Sequence, residues 1–133
     1  MAFVLDASIA AAWCLPDERA RLADAVQDRL IEDRAIVPSL FWYEVRNFLV
    51  LQERRKRIVP LETVKILTDL QGMPIRFEEP DSDHVLELAR SYGLTVYDAS
   101  YLSLAVSNRV PLATLDRDLA AAAKQAGVEL FAA

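Results

Sequence analysis

Four acidic side chains, Asp6, Glu44, Asp98 and Asp116, are the residues of this sequence best suited to chemistry. Other routes fall away first. The one histidine, His84, leaves no imidazole pair for metal-free cleavage of a phosphodiester, and a Ser-His-Asp triad would have to use that same residue. Neither GxxxxGK followed by Ser or Thr nor GxGxxG occurs, so nucleotide binding by those loops has no support. No Cys/His spacing suits zinc. Carboxylate remains, and its hard oxygens suit Mg²⁺ or Mn²⁺.

Each acid also has a plainer account. Asp6, in Leu-Asp-Ala-Ser, falls where a strand should end, with the Ser8 hydroxyl two residues on; it also reads as an N-cap. Glu44 has Phe41, Trp42, Tyr43 and Val45 as neighbours. A carboxylate among such groups is costly to bury unless paired or metal-bound, although it can instead face solvent or pair with Arg46. Asp98, in Val-Tyr-Asp-Ala-Ser, opens an apolar helix and can cap it. Asp116, in Ala-Thr-Leu-Asp-Arg-Asp-Leu, stands at another helix start, with Thr114 and Asp118 as flanking oxygen donors. Whether Asp118 supplements or replaces Asp116 stays open. The set is more telling than its members. Gathered carboxylates repel one another and raise their pKa values, and a divalent cation removes that cost.

The elements that must position these groups alternate. Ala2 to Leu5 reads as a buried strand, Ser8 to Cys14 as a short helix stopped before Pro16, and Asp17 to Glu32 as a helix with apolar Leu22, Ala23, Val26, Leu30 and Ile31. Ala35 to Val37 is a second strand. Ser39 suits the N-cap of a helix running to about Arg55, and Pro60 the first turn of the next, which ends near Gly72. Ile75 to Phe77 is a third strand, and Asp81 to Tyr92 a helix stopped by Gly93. Tyr97 to Ser107 is apolar on most sides and therefore central. Pro111 to Leu115 is a strand, Arg117 to Ala126 a helix closed by Gly127, and Val128 to Phe131 the last strand. Such alternation predicts a mainly parallel sheet covered by helices on both faces, with functional groups beyond the C-terminal strand ends. Asp6 and Asp116 fall there.

Length and composition fit this plan. The 133 residues suit one domain spanning 1–133, and 53% hydrophobic against 26% charged residues is a globular balance with a sizeable core. No apolar run approaches the ~20 residues that cross a bilayer. The opening Met-Ala-Phe-Val-Leu-Asp has no basic leader, so no signal peptide is expected. The single Cys14 has no disulfide partner within the chain and reads as a packed apolar residue. A cytoplasmic location follows as an expectation. The net charge of −5 argues against general coating of nucleic acid. Setting the four acids aside leaves a balance of −1, which local basic patches can turn toward a polyanion.

Leu-Asp-Ala-Ser, a Glu in the helix after the second strand, Tyr-Asp-Ala-Ser-Tyr-Leu-Ser-Leu-Ala and Ala-Thr-Leu-Asp-Arg-Asp-Leu resemble, in order and over essentially the whole chain, the PIN domain. Size and opening are closest to VapC toxins of type II toxin–antitoxin pairs. The resemblance implies a PIN-like, Rossmann-like three-layer α/β sandwich. It also implies that Asp6, Glu44, Asp98 and Asp116 match an acidic quartet, with Ser8 and Thr114 as accompanying hydroxyls. The implied activity is Mg²⁺- or Mn²⁺-dependent endoribonuclease cleavage of an RNA phosphodiester. In it Asp6 and Asp98 are the firmest metal ligands, Asp116 completes the site or holds a second ion, and Glu44 binds metal or orients the attacking water. The implied partners are RNA, a cognate VapB-type antitoxin and a second copy of the chain. A PIN nuclease of RNA processing and a noncatalytic PIN-like binding module are the alternatives.

Arg54-Arg55-Lys56-Arg57 reads first as a solvated helix end that complements the helix dipole, and second as a contact for RNA or an acidic partner. Trp13, Phe41, Trp42 and Tyr43 read first as core or interface; Trp13 and Trp42 near the site also allow an aromatic groove for a partner helix. His84, beside Asp81 and Asp83, reads as a surface residue.

Overall fold

A computed structural model describes residues 1–15 and 20–132. In chain order the elements are β1 (Ala2–Leu5), α1 (Ala7–Cys14), α2 (Arg21–Arg29), β2 (Arg34–Val37), α3 (Leu40–Arg54), α4 (Pro60–Gln71), β3 (Ile75–Phe77), α5 (Ser82–Tyr92), α6 (Val96–Asn108), β4 (Leu112–Ala113) and α7 (Arg117–Gln125). The strands form one parallel sheet in the order β3-β2-β1-β4.

Successive strand residues point to opposite faces. In β1, Phe3, Val4 and Leu5 are all buried, and in β2 so are Ala35, Ile36 and Val37. Both faces of the central sheet are therefore covered, as a parallel α/β sheet requires. At the β3 edge burial lapses, and Arg76 and Phe77 are exposed. Helix α6 is the most enclosed: Ala99 through Ala105 are buried without interruption, which explains its lack of an amphipathic stripe.

Several predicted boundaries shift. Helix α2 is shorter than Asp17 to Glu32; Asp17 and Glu18 lie outside the described residues, and Leu30 closes the helix with its N–H on the carbonyls of Val26 and Gln27. Ser39 is not a capping side chain. Its backbone is already helical, and its N–H donates to Glu79 Oε1 at 3.0 Å. The strand expected over Pro111 to Leu115 contracts to Leu112–Ala113, because the chain beyond turns to serve the site. The strand expected over Val128 to Phe131 is an isolated parallel bridge between Leu112 and Leu130. Among the described residues two backbone hydrogen bonds hold it, Leu112 N–H to Glu129 O and Phe131 N–H to Leu112 O, both 2.9 Å. Phe131 is instead anchored by its ring, 5.3 Å from that of Phe3.

Gly93 and Gly127 do end their helices in the left-handed region, at φ 64° and 76°. Among the described residues no helix is long and apolar enough to cross a membrane.

Candidate active site

Asp6 follows β1 directly and occupies the N-cap position of α1 in extended backbone, yet its side chain makes no capping hydrogen bond. Its Oδ2 accepts instead from the hydroxyls of Ser8 at 2.5 Å and Thr114 at 2.7 Å. Those hydroxyls are themselves oriented from behind. Ser8 Oγ accepts the Leu115 N–H at 2.9 Å, and Thr114 Oγ1 accepts the Asp116 N–H at 3.0 Å. Each hydroxyl thus accepts one amide proton and gives its own proton to Asp6. The carboxylate is only 5% exposed. Burial pushes its pKa up, the two hydroxyls oppose this, and the charge of Asp116 adds to the rise.

Asp98 is not the N-cap of α6. Thr95 is, accepting the Asp98 N–H on its hydroxyl at 3.1 Å, which leaves Asp98 in the first turn. The capping account of Asp98 therefore fails. Its pKa is pushed up to about 6, first by burial and then by the charges of Asp116, Asp6 and Asp118.

Asp116 serves two ends at once. Its Oδ1 caps α7, accepting the N–H groups of Asp118 and Leu119 at 2.9 and 3.0 Å, while its charge acts on Asp6 and Asp98. The capping account is thus correct and compatible with a place in the site. Asp118 is exposed at its rim and felt by Asp98.

Glu44 is half-buried on α3, and Arg46 does not pair with it; that guanidinium donates to Trp42 O at 3.1 Å. Burial raises the Glu44 pKa, and the charges of Asp6 and Asp98 raise it further. Its hydrogen-bond partner is Tyr101, whose hydroxyl donates to Oε1 at 2.6 Å. Sequence reasoning missed Tyr101. It stands in the motif around Asp98, but an aromatic residue in an apolar helix carries no mark of a polar contact 57 residues away.

The charges link these carboxylates through Asp6 and Asp98: Asp116 acts on both, and both act on Glu44, from the end of β1, α3, α6 and the start of α7. An oxygen-only donor set, partly withdrawn from water and mutually repelling, fits a hard divalent cation in charge and chemistry. No three acids among the described residues stand close enough, as placed, to surround one ion.

Other sequence candidates fall elsewhere. Trp13 is used structurally, its indole N–H donating to Ala23 O at 2.7 Å. Trp42 and Tyr43 line an open groove of about 630 Å³ with Arg46, Gln71 and Phe77, while Phe41 is core. His84 corrects the surface assignment: it is half-buried, and Nδ1 lies 2.7 Å from the Ser103 hydroxyl. Cys14 donates to Ala10 O, and burial pushes its thiol up to about 11, as an inert packed residue requires. Arg54 and Arg55 do end α3, exposed at its C-terminus.

Comparison with known proteins identifies the family. The chain is 33% identical over 124 residues to Ribonuclease VapC3 of Pyrobaculum aerophilum, covering 90% of this chain and 93% of that one. The crystal structure of PAE2754 from the same organism is 27% identical and superposes with a TM-score of 0.69, covering 92% of this chain and 79% of that one. A chain of VapBC2 from Rickettsia felis, bound to a DNA fragment from their promoter, is 13% identical with a TM-score of 0.64 over 98% and 97%, a likeness of fold. The PIN domain model matches residues 3–125, and the chain belongs to the PIN domain family.

Proposed function

We infer that this protein is a metal-dependent endoribonuclease toxin, neutralised by a cognate antitoxin. The observation that carries the reading is the Asp6 carboxylate, almost fully buried, held by Ser8 and Thr114 and sharing its field with Asp116 and Asp98. A charge placed at such cost is explained by a cation. The relative named Ribonuclease VapC3 supports the substrate class.

Asp6 and Asp98 are the main metal ligands, Asp116 supplies an oxygen from its capped position, and Glu44 binds metal or orients a water. Asp118 supports from the rim. When bound, Mg²⁺ or Mn²⁺ supplies Lewis acidity and positive charge at the scissile phosphate. The protein's own part is to hold oxygens in place. Ser8 and Thr114 fix Asp6, Thr95 frees Asp98 from capping, and the Asp116 cap fixes one oxygen while its charge stays in the site.

The antitoxin assignment rests on the VapC resemblance and on the open aromatic groove of Trp42, Tyr43 and Phe77, which suits an amphipathic segment. The chain acts as one domain in the cytoplasm and pairs with a second copy.

Calorimetry of Mg²⁺ and Mn²⁺ binding to wild type and Asp98→Asn is the test, followed by RNA cleavage with and without the ion. Binding that the variant loses is expected. A folded wild type that neither binds the ions nor cleaves RNA in their presence would leave a binding module in its place.

A further inference from the structure

Tyr101 is wholly buried, and its ring belongs to the apolar interior of α6. A buried tyrosine hydroxyl needs a partner. This one donates to Glu44 Oε1, from another helix, at 2.6 Å. A glutamate side chain on a helix has three rotatable bonds, and holding it in one place costs rotamer entropy. A tyrosine fixed in a core has none left to lose. Asp98 lies three residues before Tyr101 on α6, so the two share one helix face. The same rigid helix therefore sets Asp98 directly and Glu44 through a hydroxyl.

We propose that Tyr101 is a positioning residue: it locks Glu44 against the site through its hydroxyl, commits Oε1 to that bond and leaves Oε2 to meet the ion or the attacking water. This rests on the reading that Glu44 works in the metal site. The division of labour gives the hydroxyl of a core aromatic residue a use that a purely apolar side chain at this position would lack. Tyr101 supplies no chemistry to the reacting atoms and holds in place a residue that does.

The experiment compares Tyr101→Phe, Glu44→Gln and the double variant. Tyr101→Phe keeps the ring and removes one oxygen, so the fold is expected to survive, with a melting temperature within a few degrees of wild type. Loss of an orienting contact at a metal site typically costs about 10–100-fold in affinity or rate. The expected result is a kcat and a Mn²⁺ affinity each reduced on that scale, with KM for RNA within about twofold. The double variant should be no worse than Glu44→Gln alone, since the two changes remove one shared function.

Wild-type kcat and Mn²⁺ affinity in Tyr101→Phe, beside an impaired Glu44→Gln, would overturn the proposal and leave the site reading intact. Full activity and ion binding in Glu44→Gln would instead overturn the role of Glu44 itself. A second loss of equal size when Tyr101→Phe is added to Glu44→Gln would mean that Tyr101 acts elsewhere. A further readout needs no Tyr101 variant. The Tyr101 hydroxyl proton should give a protected, downfield proton resonance in wild type that Glu44→Ala abolishes. Its absence from wild type, or its survival in Glu44→Ala, would refute the bond on which the proposal stands.

Discussion

Thr114 donates its hydroxyl proton to Asp6 Oδ2 at 2.7 Å and takes the Asp116 N–H at 3.0 Å in return. One small side chain after β4 thereby ties the carboxylate at the end of β1 to the backbone of the next acid in the site. Thr114→Val keeps the shape and removes the hydroxyl. It leaves the Asp116 amide without its acceptor and Asp6 with one hydroxyl donor fewer. The expected cost is about 1–3 kcal/mol in urea unfolding, the range for a buried polar group losing its partner. Cleavage should fall about 10–100-fold with it, as when a contact behind a metal ligand is lost. Thr114→Ser should restore most of both.

Asp6 itself should show stability and activity moving in opposite directions. Its pKa is raised chiefly by burial, so the charge is held in the apo protein against a desolvation cost. Asp6→Asn keeps the size and removes the charge, and the Ser8 and Thr114 hydroxyls can still donate to the amide oxygen. The apo variant is expected to melt higher than wild type while RNA cleavage falls about 10²-fold or more, the scale for losing a main electrostatic stabiliser. Thermal melts without metal, beside cleavage assays with it, check both halves. A variant that loses stability and keeps activity would reverse the assignment.

The acids were legible because chemistry left few other choices and because two of them follow strands whose patterning is plain, Ala2–Leu5 and the apolar step before Asp116. What orients them was less legible. Asp98 and Thr95 are both good caps by residue type, and only the backbone shows that Thr95 takes the role. The contacts of Tyr101 with Glu44 and of His84 with Ser103 link residues 57 and 19 apart, and no local period announces such pairs. Strand ends failed for a related reason. Residues after Ala113 and around Leu130 look strand-like, but their backbone is spent on Ser8, Thr114 and a single bridge. Tertiary demand overrides local propensity at those points.

The pH dependence follows from Asp98. Its folded pKa of about 6 lies above the ordinary 3.8, so the folded apo protein binds this proton more tightly than the unfolded chain does. That contribution to stability is fully present below about pH 4 and is lost as pH rises through about 6. Asp6 and Glu44, also raised, act in the same direction. Asp98 is partly exposed, so solvent screening holds its share to about 1 kcal/mol. Apo stability should therefore decline between about pH 4 and 7, and less so in Asp98→Asn. Ion binding runs the other way, since it needs the carboxylates ionised. Saturating Mn²⁺ should raise the melting temperature more at pH 7.5 than at pH 5, and cleavage should climb through about pH 6. Melts across this range, with and without the ion, would expose a wrong sign.

Helix α6 carries Asp98 at its first turn and is held by an uninterrupted run of buried residues, with Leu102 wholly inside. Leu102→Ala should cost about 2–5 kcal/mol, the range for emptying a packed core position. Tyr97, 64% exposed one residue before Asp98, should tolerate alanine within about 0.5 kcal/mol. The two variants separate the helix's anchorage from its exposed end. Leu102 lies one turn past Asp98, so the cavity also loosens the platform under the carboxylate. Mn²⁺ affinity measured at a temperature where Leu102→Ala remains folded should fall, whereas Tyr97→Ala should bind the ion as wild type does. Equal ion binding by both would mean that the rest of the site, through Thr95 and the neighbouring charges, holds Asp98 without help from the core beneath it.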